Sequence, residues 1–191
     1  MNPSRTFQIT KPKLLLGEGI DDENFLRAIV KTVDATDIQV ANYGGKNNLR
    51  SYLKALALIP GFDELESLGV TRDADGSYSS ALQSVQDAID AQNFMIKSVT
   101  FILPDCTNSG MLEDLCISTL SSGEAQCIDQ YLQCIDTVQG TLPTNLAKAK
   151  MYAWLAVQEK PEVGLGEAAL NGYFDFNHPA FTSLKDFIRT L

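Results

Sequence analysis

The sequence predicts an α/β fold, a mostly parallel four-stranded sheet flanked by helices, with an all-helical C-terminal extension. Up to residue 103, short apolar runs alternate with segments whose apolar residues recur at helical spacing, which is typical of βαβ units. Beyond residue 105 only helical spacings remain. We therefore expect an α/β domain over residues 1–105 and a helical extension over residues 106–191, packed together as one structural unit.

The strands are predicted from short apolar runs that end at turn residues. The first run, over 13–16, shows no polar alternation, as expected for a parallel strand that is covered on both faces. Three further strands are predicted over 38–41, 68–71 and 99–103. The helices between the strands are predicted from apolar stripes that begin near Asp22, Leu49 and Ala81.

Four helices are predicted in the C-terminal third, and no convincing strand. Their apolar stripes start at Met111, Ile128, Leu146 and Phe181. Trp154 lies on the third of these helices with Lys148 and Lys150. The three side chains either form a binding face or, as is more common, the tryptophan packs inward and the lysines remain in solvent.

Two acidic segments dominate the functional interpretation. The first, LLLGEGIDD, places Glu18 and Asp22 just after an apolar run, and the second, LGVTRDADG, does the same with Asp73 and Asp75. If the two strands are neighbours in the sheet, all four carboxylates meet at its edge, where ligand sites form. Such crowded carboxylates repel one another unless a cation joins them. A site for Mg²⁺ or Mn²⁺ is therefore predicted, with chemistry suited to phosphodiester cleavage.

Each segment also has a purely structural interpretation. Acidic residues at a helix start commonly cap the helix, and DxDG strings commonly form turns. The two segments together, in this order and each after an apolar strand, favour the metal-binding carboxylate cluster.

An apolar strand that runs into EGxxD, followed by a later apolar strand that runs into DxD, resembles the Toprim domain of primases, topoisomerases and nucleases of the overcoming-lysogenization-defect (OLD) type. The likeness covers roughly residues 11–105 and is strongest to a small stand-alone Toprim-like family of largely unassigned function. It implies that Glu18 is a general acid or base or a metal ligand, that Asp73 and Asp75 hold Mg²⁺, and that Asp22 assists.

The resemblance implies a metal-dependent nuclease, because the chain lacks room for the other domains of a primase or topoisomerase. The rival interpretation is a non-catalytic or partner-activated module that works in a complex with an ATPase, as OLD-type Toprim domains do. The string DADGS also resembles the DxDGT motif of haloacid dehalogenase-like phosphatases, whose first aspartate is a nucleophile on the first strand. Here two strand–helix units precede Asp73, so this alternative is weaker.

Several other side chains are candidates for a functional role. Lys46 follows two glycines and opens a helix, so it either meets a phosphate or belongs to a plain turn. Glu113 and Asp114 follow the fourth strand and either add carboxylates to the metal cluster or cap a helix. His178 is the sole histidine, and no nucleophile motif accompanies it, so a structural or surface role is expected.

The composition limits the partners. The net charge of −9 argues against tight non-specific binding to nucleic acid, although it leaves room for a local basic rim. No apolar stretch is long enough to cross a membrane and the first residues lack the apolar centre of a signal peptide, so we expect a cytoplasmic protein with no membrane partner. The four cysteines are predicted to be buried, reduced thiols, with zinc binding or disulfides as the alternatives. Three of them, Cys116, Cys127 and Cys134, lie on helical patterns.

Overall fold

The computed structural model describes residues 7–191 and confirms the predicted α/β class. Four strands form one parallel sheet in the order β2-β1-β3-β4. The strands are β1 (Lys13–Gly17), β2 (Ile38–Asn42), β3 (Ser67–Asp73) and β4 (Lys97–Leu103). Strands β1 and β3, which carry the two acidic segments, are neighbours, as the prediction required.

Eight helices surround or follow the sheet in the described part of the chain. Three of them alternate with the strands: α1 (Ile20–Thr32), α2 (Leu49–Leu56) and α3 (Tyr78–Asp90). The C-terminal third contributes α4 (Leu112–Ile117), α5 (Ser122–Gln139), α6 (Leu146–Leu155), α7 (Leu165–Leu170) and α8 (Thr182–Thr190).

The two faces of the sheet bury separate cores, because successive side chains of a strand point to opposite sides. On one face Leu14 and Leu16 pack with residues of α2 and α3. On the other face Leu15 packs with α1 and with the helices of the C-terminal third. The buried Phe25 of α1 contacts the rings of three aromatic residues from that third, Phe174, Phe176 and Phe181. The C-terminal helices thus share the core of the sheet.

The structure corrects two sequence-based expectations. Helix α7 was not predicted, yet it packs directly on α1. The prediction of buried thiols was wrong for Cys127 and Cys134, which are exposed on α5, whereas Cys116 is buried as expected. Helix α5 buries only Ile128 and Leu132, so most of its surface faces solvent.

The sequence of residues 1–10 is typical of an irregular end or an edge segment. Residues 1–6 lie outside the described residues, and residues 7–10 belong to no helix or strand. Across residues 7–191, none of the helices has the length and apolar character that crossing a lipid bilayer requires.

Helix α7 approaches α1 closely because a glycine stands at the contact. A Cβ atom added at Gly166 would lie 2.4 Å from the backbone oxygen of Asp21. The amide of Gly166 also donates a hydrogen bond of 3.0 Å to Asp21 Oδ1, so the carboxylate caps the first turn of α7. The contact therefore joins the C-terminal third to the start of α1.

Gly166→Ala is expected to destabilise the protein by about 2–4 kcal/mol, because the added methyl group clashes with backbone that cannot move aside cheaply. Gly123→Ala is the matched control. It also lies in a helix, but a Cβ there meets nothing within 4 Å, so a small gain of about 0.5–1 kcal/mol is expected. Urea unfolding followed by circular dichroism measures both. Equal midpoints for Gly166→Ala and wild type would contradict the close α1–α7 contact.

Candidate functional site

The first acidic segment is shaped by a tight passage from β1 to α1. A Cβ atom at Gly17 would lie 2.7 Å from Cβ of Asp22, so only glycine allows the helix to begin so close to the strand. This passage leaves Glu18 in the turn and Asp22 in the first turn of α1. The Oδ2 atom of Asp22 accepts a hydrogen bond of 3.0 Å from the amide of Gly19.

The second acidic segment places Asp73 at the last position of β3. Its Oδ1 accepts a hydrogen bond of 2.9 Å from the amide of Leu112, the first residue of α4. The start of α4 therefore faces this carboxylate, and the next residue, Glu113, is brought to the same place.

Five acidic side chains line a single cavity of about 320 Å³ at the edge of the sheet, and one of them, Asp21, caps α7. We call it the carboxylate cavity and define it by Glu18, Asp22, Asp73 and Glu113. Lys148 of α6 also lines it, with its Nζ atom 3.8 Å from Glu113 Oε1. Elements far apart in the chain thus converge on one site, as the acidic segments predicted for Glu18, Asp22 and Asp73.

Burial raises the pKa of each of the four carboxyl groups that define this cavity, and nearby negative charges add to the effect. Burial is the largest cause for Asp73, followed by the charge of Asp22, and together they raise its pKa from 3.8 to about 8. Burial likewise raises the pKa of Asp22 to about 6, with Glu18 adding to the effect. The pKa values of Glu18 and Glu113 are also raised, chiefly by burial. Such shifts are frequent where charge is gathered for function.

Asp75 does not join the cavity. It takes a left-handed backbone conformation with φ of 50°, and its amide and carbonyl pair with those of Gly110 at 2.8 Å each. Its carboxylate instead forms an ion pair of 2.9 Å with Lys46 Nζ. The amide of Lys46 donates a hydrogen bond of 3.1 Å to Glu18 Oε1. Lys46 therefore connects the two acidic segments.

The remaining candidates separate into structural and site roles. Asp114 Oδ2 accepts a hydrogen bond of 2.9 Å from the amide of Met111, so this residue caps α4, whereas Glu113 lines the cavity. His178 Nδ1 accepts a hydrogen bond from the amide of Ala180, which is a structural role. Trp154 is buried, as predicted.

Lys148 lines the cavity, although the solvated interpretation was favoured over the binding face for this side chain. It is still 54% exposed, so the solvated interpretation was correct in part. Only the packing of α6 beside α4 directs it toward Glu113.

The cavity fits a hard divalent cation in its donor chemistry. Glu18 Oε2 and Asp22 Oδ1 are buried, and neither has a hydrogen-bond partner among the described residues. Over residues 7–191, no three His, Cys, Asp or Glu side chains form a ready-made metal-binding group. Mg²⁺ needs only one or two carboxylates, because it keeps several of its waters. The all-oxygen donor set therefore suits Mg²⁺ or Mn²⁺ with water as further ligands.

Comparison with known proteins gave two matches of different kinds. A family model described as a protein of unknown function (DUF3226) matches residues 12–191, which include both the sheet and the C-terminal helices. A solved structure, the C-terminal region of the OLD protein of Xanthomonas campestris pv. campestris, is similar with a TM-score of 0.40 and 16% identity, over 94% of this chain and 95% of that chain. No curated protein matches the sequence significantly.

Proposed function

This chain belongs to the family described as protein of unknown function DUF3226, and we propose that it is a Toprim-type nuclease that cleaves nucleic-acid phosphodiester bonds with Mg²⁺ or Mn²⁺. The observation that carries the proposal is the carboxylate cavity itself. Its acids come from the carboxyl ends of two adjacent parallel strands and from the start of α4. Ligand sites of parallel sheets form at this edge.

Asp22 and Asp73 are the groups proposed to hold the ion. Their raised pKa values show how unfavourable it is to ionise both without a counter-charge, and a divalent cation supplies that charge. Such an ion, when bound, stabilises the negative charge that develops on the phosphate oxygens during cleavage. The hydrogen bond from the Leu112 amide keeps Asp73 oriented toward the cavity.

Glu18 is proposed as the general base. The Lys46 amide fixes its Oε1, and its buried Oε2 has no hydrogen-bond partner among residues 7–191, so this unsatisfied acceptor gains a partner when an attacking water admitted to the cavity gives up its proton. As the water oxygen bonds to phosphorus, the bond from phosphorus to the leaving oxygen breaks, and solvent protonates that oxygen. Burial raises the pKa of Glu18, and a carboxylate with a raised pKa is a stronger base for this step than an ordinary one.

The direct test is a cleavage assay with the purified chain. Single-stranded DNA, duplex DNA and single-stranded RNA are each incubated with Mg²⁺, Mn²⁺ or EDTA, and the products are resolved on denaturing gels. We expect cleavage of at least one substrate with Mg²⁺ or Mn²⁺ and none in EDTA. Intact substrates under all of these conditions would count against the proposal.

A second candidate is a module that acts only in a complex with an ATPase. An apolar groove of about 660 Å³ between α5 and α6 favours it, because Tyr131 and Val157 there are 56% and 79% exposed. Large exposed apolar patches commonly mark interaction sites. The charged side chains of α5 are all acidic, so the fitting partner surface is apolar with basic residues at its edges.

Partner dependence has a distinct experimental signature. The chain alone would be inactive in the cleavage assay, and activity would appear when a co-expressed ATPase is purified with it. Tyr131→Ser should then reduce both co-purification and activity, since it removes apolar surface from the centre of the groove. Robust cleavage by the chain alone would instead favour the first candidate.

A further inference from the structure

A second groove, of about 620 Å³, lies beside the carboxylate cavity on the other layer of helices. It runs between α2 and α3, the helices that cover the sheet face opposite to α1. We call it the α2–α3 groove. The polar and charged side chains that line it include Lys46, Arg50, Ser79, Ser80, Ser84 and Asp87.

Of the two cationic side chains in this groove, one is unpaired among the described residues and the other is held by a surface ion pair. Arg50 is exposed and forms no ion pair with any residue in the described range. Lys46 is paired with Asp75, but its side chain is 50% exposed, and such surface pairs exchange partners at little cost. The one acidic lining residue, Asp87, accepts a hydrogen bond of 2.8 Å from Gln83.

The wall opposite these cations also suits phosphate. It is the first turn of α3, a helix of 13 residues whose hydroxyl-bearing Ser79 and Ser80 face the groove. The first amides of a helix have no partner within it and carry partial positive charge, so they favour anions. Ser77 caps only the amide of Ser80.

Lys46 connects the groove to the carboxylate cavity. Its side chain lines the groove, while its amide donates to Glu18 at the mouth of the cavity. A chain of phosphates that placed one group in the cavity would therefore place its neighbours along the groove.

We propose that the α2–α3 groove binds the sugar-phosphate backbone of the nucleic-acid strand, next to the phosphate that is cleaved in the carboxylate cavity. This proposal rests on the proposed function. It specifies that the substrate is a polymer, which is bound both in the carboxylate cavity and in the α2–α3 groove. Lys46 and Arg50 contact phosphates, and Lys46 leaves Asp75 when it does so. The net negative charge of the chain is compatible with this, because the contact is local.

The test measures binding without cleavage. Fluorescence anisotropy in EDTA follows a labelled single-stranded DNA of about 20 nucleotides, an RNA of the same sequence and a DNA duplex, between about 50 and 200 mM salt. We expect the double variant Lys46→Gln/Arg50→Gln to bind the nucleic-acid probes at least about tenfold more weakly than wild type does. The slope of log Kd against log salt should fall by about 1.4 for a single strand, the value for two lost phosphate contacts.

Lys31→Gln is the matched control, because Lys31 is an exposed lysine in the last turn of α1, in the helix layer on the other side of the sheet. It changes the net charge without touching the groove and should bind as wild type. The single variant Arg50→Gln, which breaks no ion pair, should show about half of the loss in slope. Thermal unfolding of each variant establishes that it is folded.

The outcomes separate this proposal from the proposed function. Unchanged affinity and slope in the double variant, an equal loss in Lys31→Gln, or no binding of wild type to any probe would each overturn the groove assignment. Groove-dependent binding together with absent cleavage would reject the nuclease and retain the groove. The three probes show whether the bound backbone belongs to single-stranded DNA, RNA or a duplex.

Discussion

Asp73→Asn is expected to lower the rate of metal-dependent cleavage by about a thousandfold. The amide keeps the size of the side chain and can still accept the hydrogen bond from the Leu112 amide, so α4 stays in place. What it loses is the negative charge that would hold the cation, and metal-assisted charge stabilisation is worth several kcal/mol in the transition state. The variant therefore removes charge with little change in geometry.

The measurement compares initial cleavage rates of wild type and variant at saturating Mn²⁺. Asp63→Asn is the matched control, because Asp63 is an exposed aspartate that precedes the start of β3, whereas Asp73 is the last residue of that strand, so the variant should retain the wild-type rate. Isothermal titration with Mn²⁺ gives an independent readout, in which the variant should bind much more weakly. A variant that cleaves as fast as wild type would eliminate Asp73 from the site.

The same substitution is expected to stabilise the metal-free protein at alkaline pH. In the unfolded chain Asp73 ionises near pH 3.8, whereas in the folded protein it retains its proton until about pH 8. Between these values the folded state binds more protons than the unfolded state, so wild-type stability falls as pH rises through this window. Asparagine cannot ionise, so the variant does not lose stability in this way as pH rises.

The stability advantage of Asp73→Asn over wild type should therefore grow by about 2–4 kcal/mol between about pH 5 and about pH 9. Urea unfolding in EDTA at both pH values measures it. Adding Mn²⁺ at the higher pH should stabilise wild type by about 2–3 kcal/mol at a hundredfold excess over its Kd, and the variant by much less. A constant difference across pH would show that Asp73 ionises normally in the folded protein.

The central elements of the fold were predictable because their signals are local. Uninterrupted apolar runs mark β1 to β4, and stripes at helical spacing mark the longer helices. Helix α7 escaped prediction because its six residues are too few for an apolar stripe and half of them are small. The exposure of Cys127 and Cys134 escaped prediction because α5 packs chiefly against α6, so only a narrow strip of its apolar residues is covered.

The candidate site follows the same rule: the residues that local sequence patterns mark were predicted, and those placed by tertiary packing were not. The convergence of Glu18, Asp22 and Asp73 follows from two acidic segments on neighbouring strands, which the order of strands and helices allowed us to expect. The exclusion of Asp75 depends on a left-handed backbone and on pairing with the distant Gly110, and neither is encoded in the DxD spacing. The sequence left Glu113 undecided between a cap and the site, because only the docking of α4 on Asp73 turns it inward.

The two exposed thiols on α5 are available for chemical labelling. Cys127 and Cys134 are two helical turns apart and open to solvent, whereas Cys116 is buried and Cys106 half-buried. Burial raises the pKa of the latter two thiols, which lowers their reactive thiolate fraction. A maleimide fluorophore should therefore couple first to α5, where its emission would report docking of another protein without an engineered cysteine. Stored without a reductant, the protein should instead cross-link into covalent oligomers through this helix.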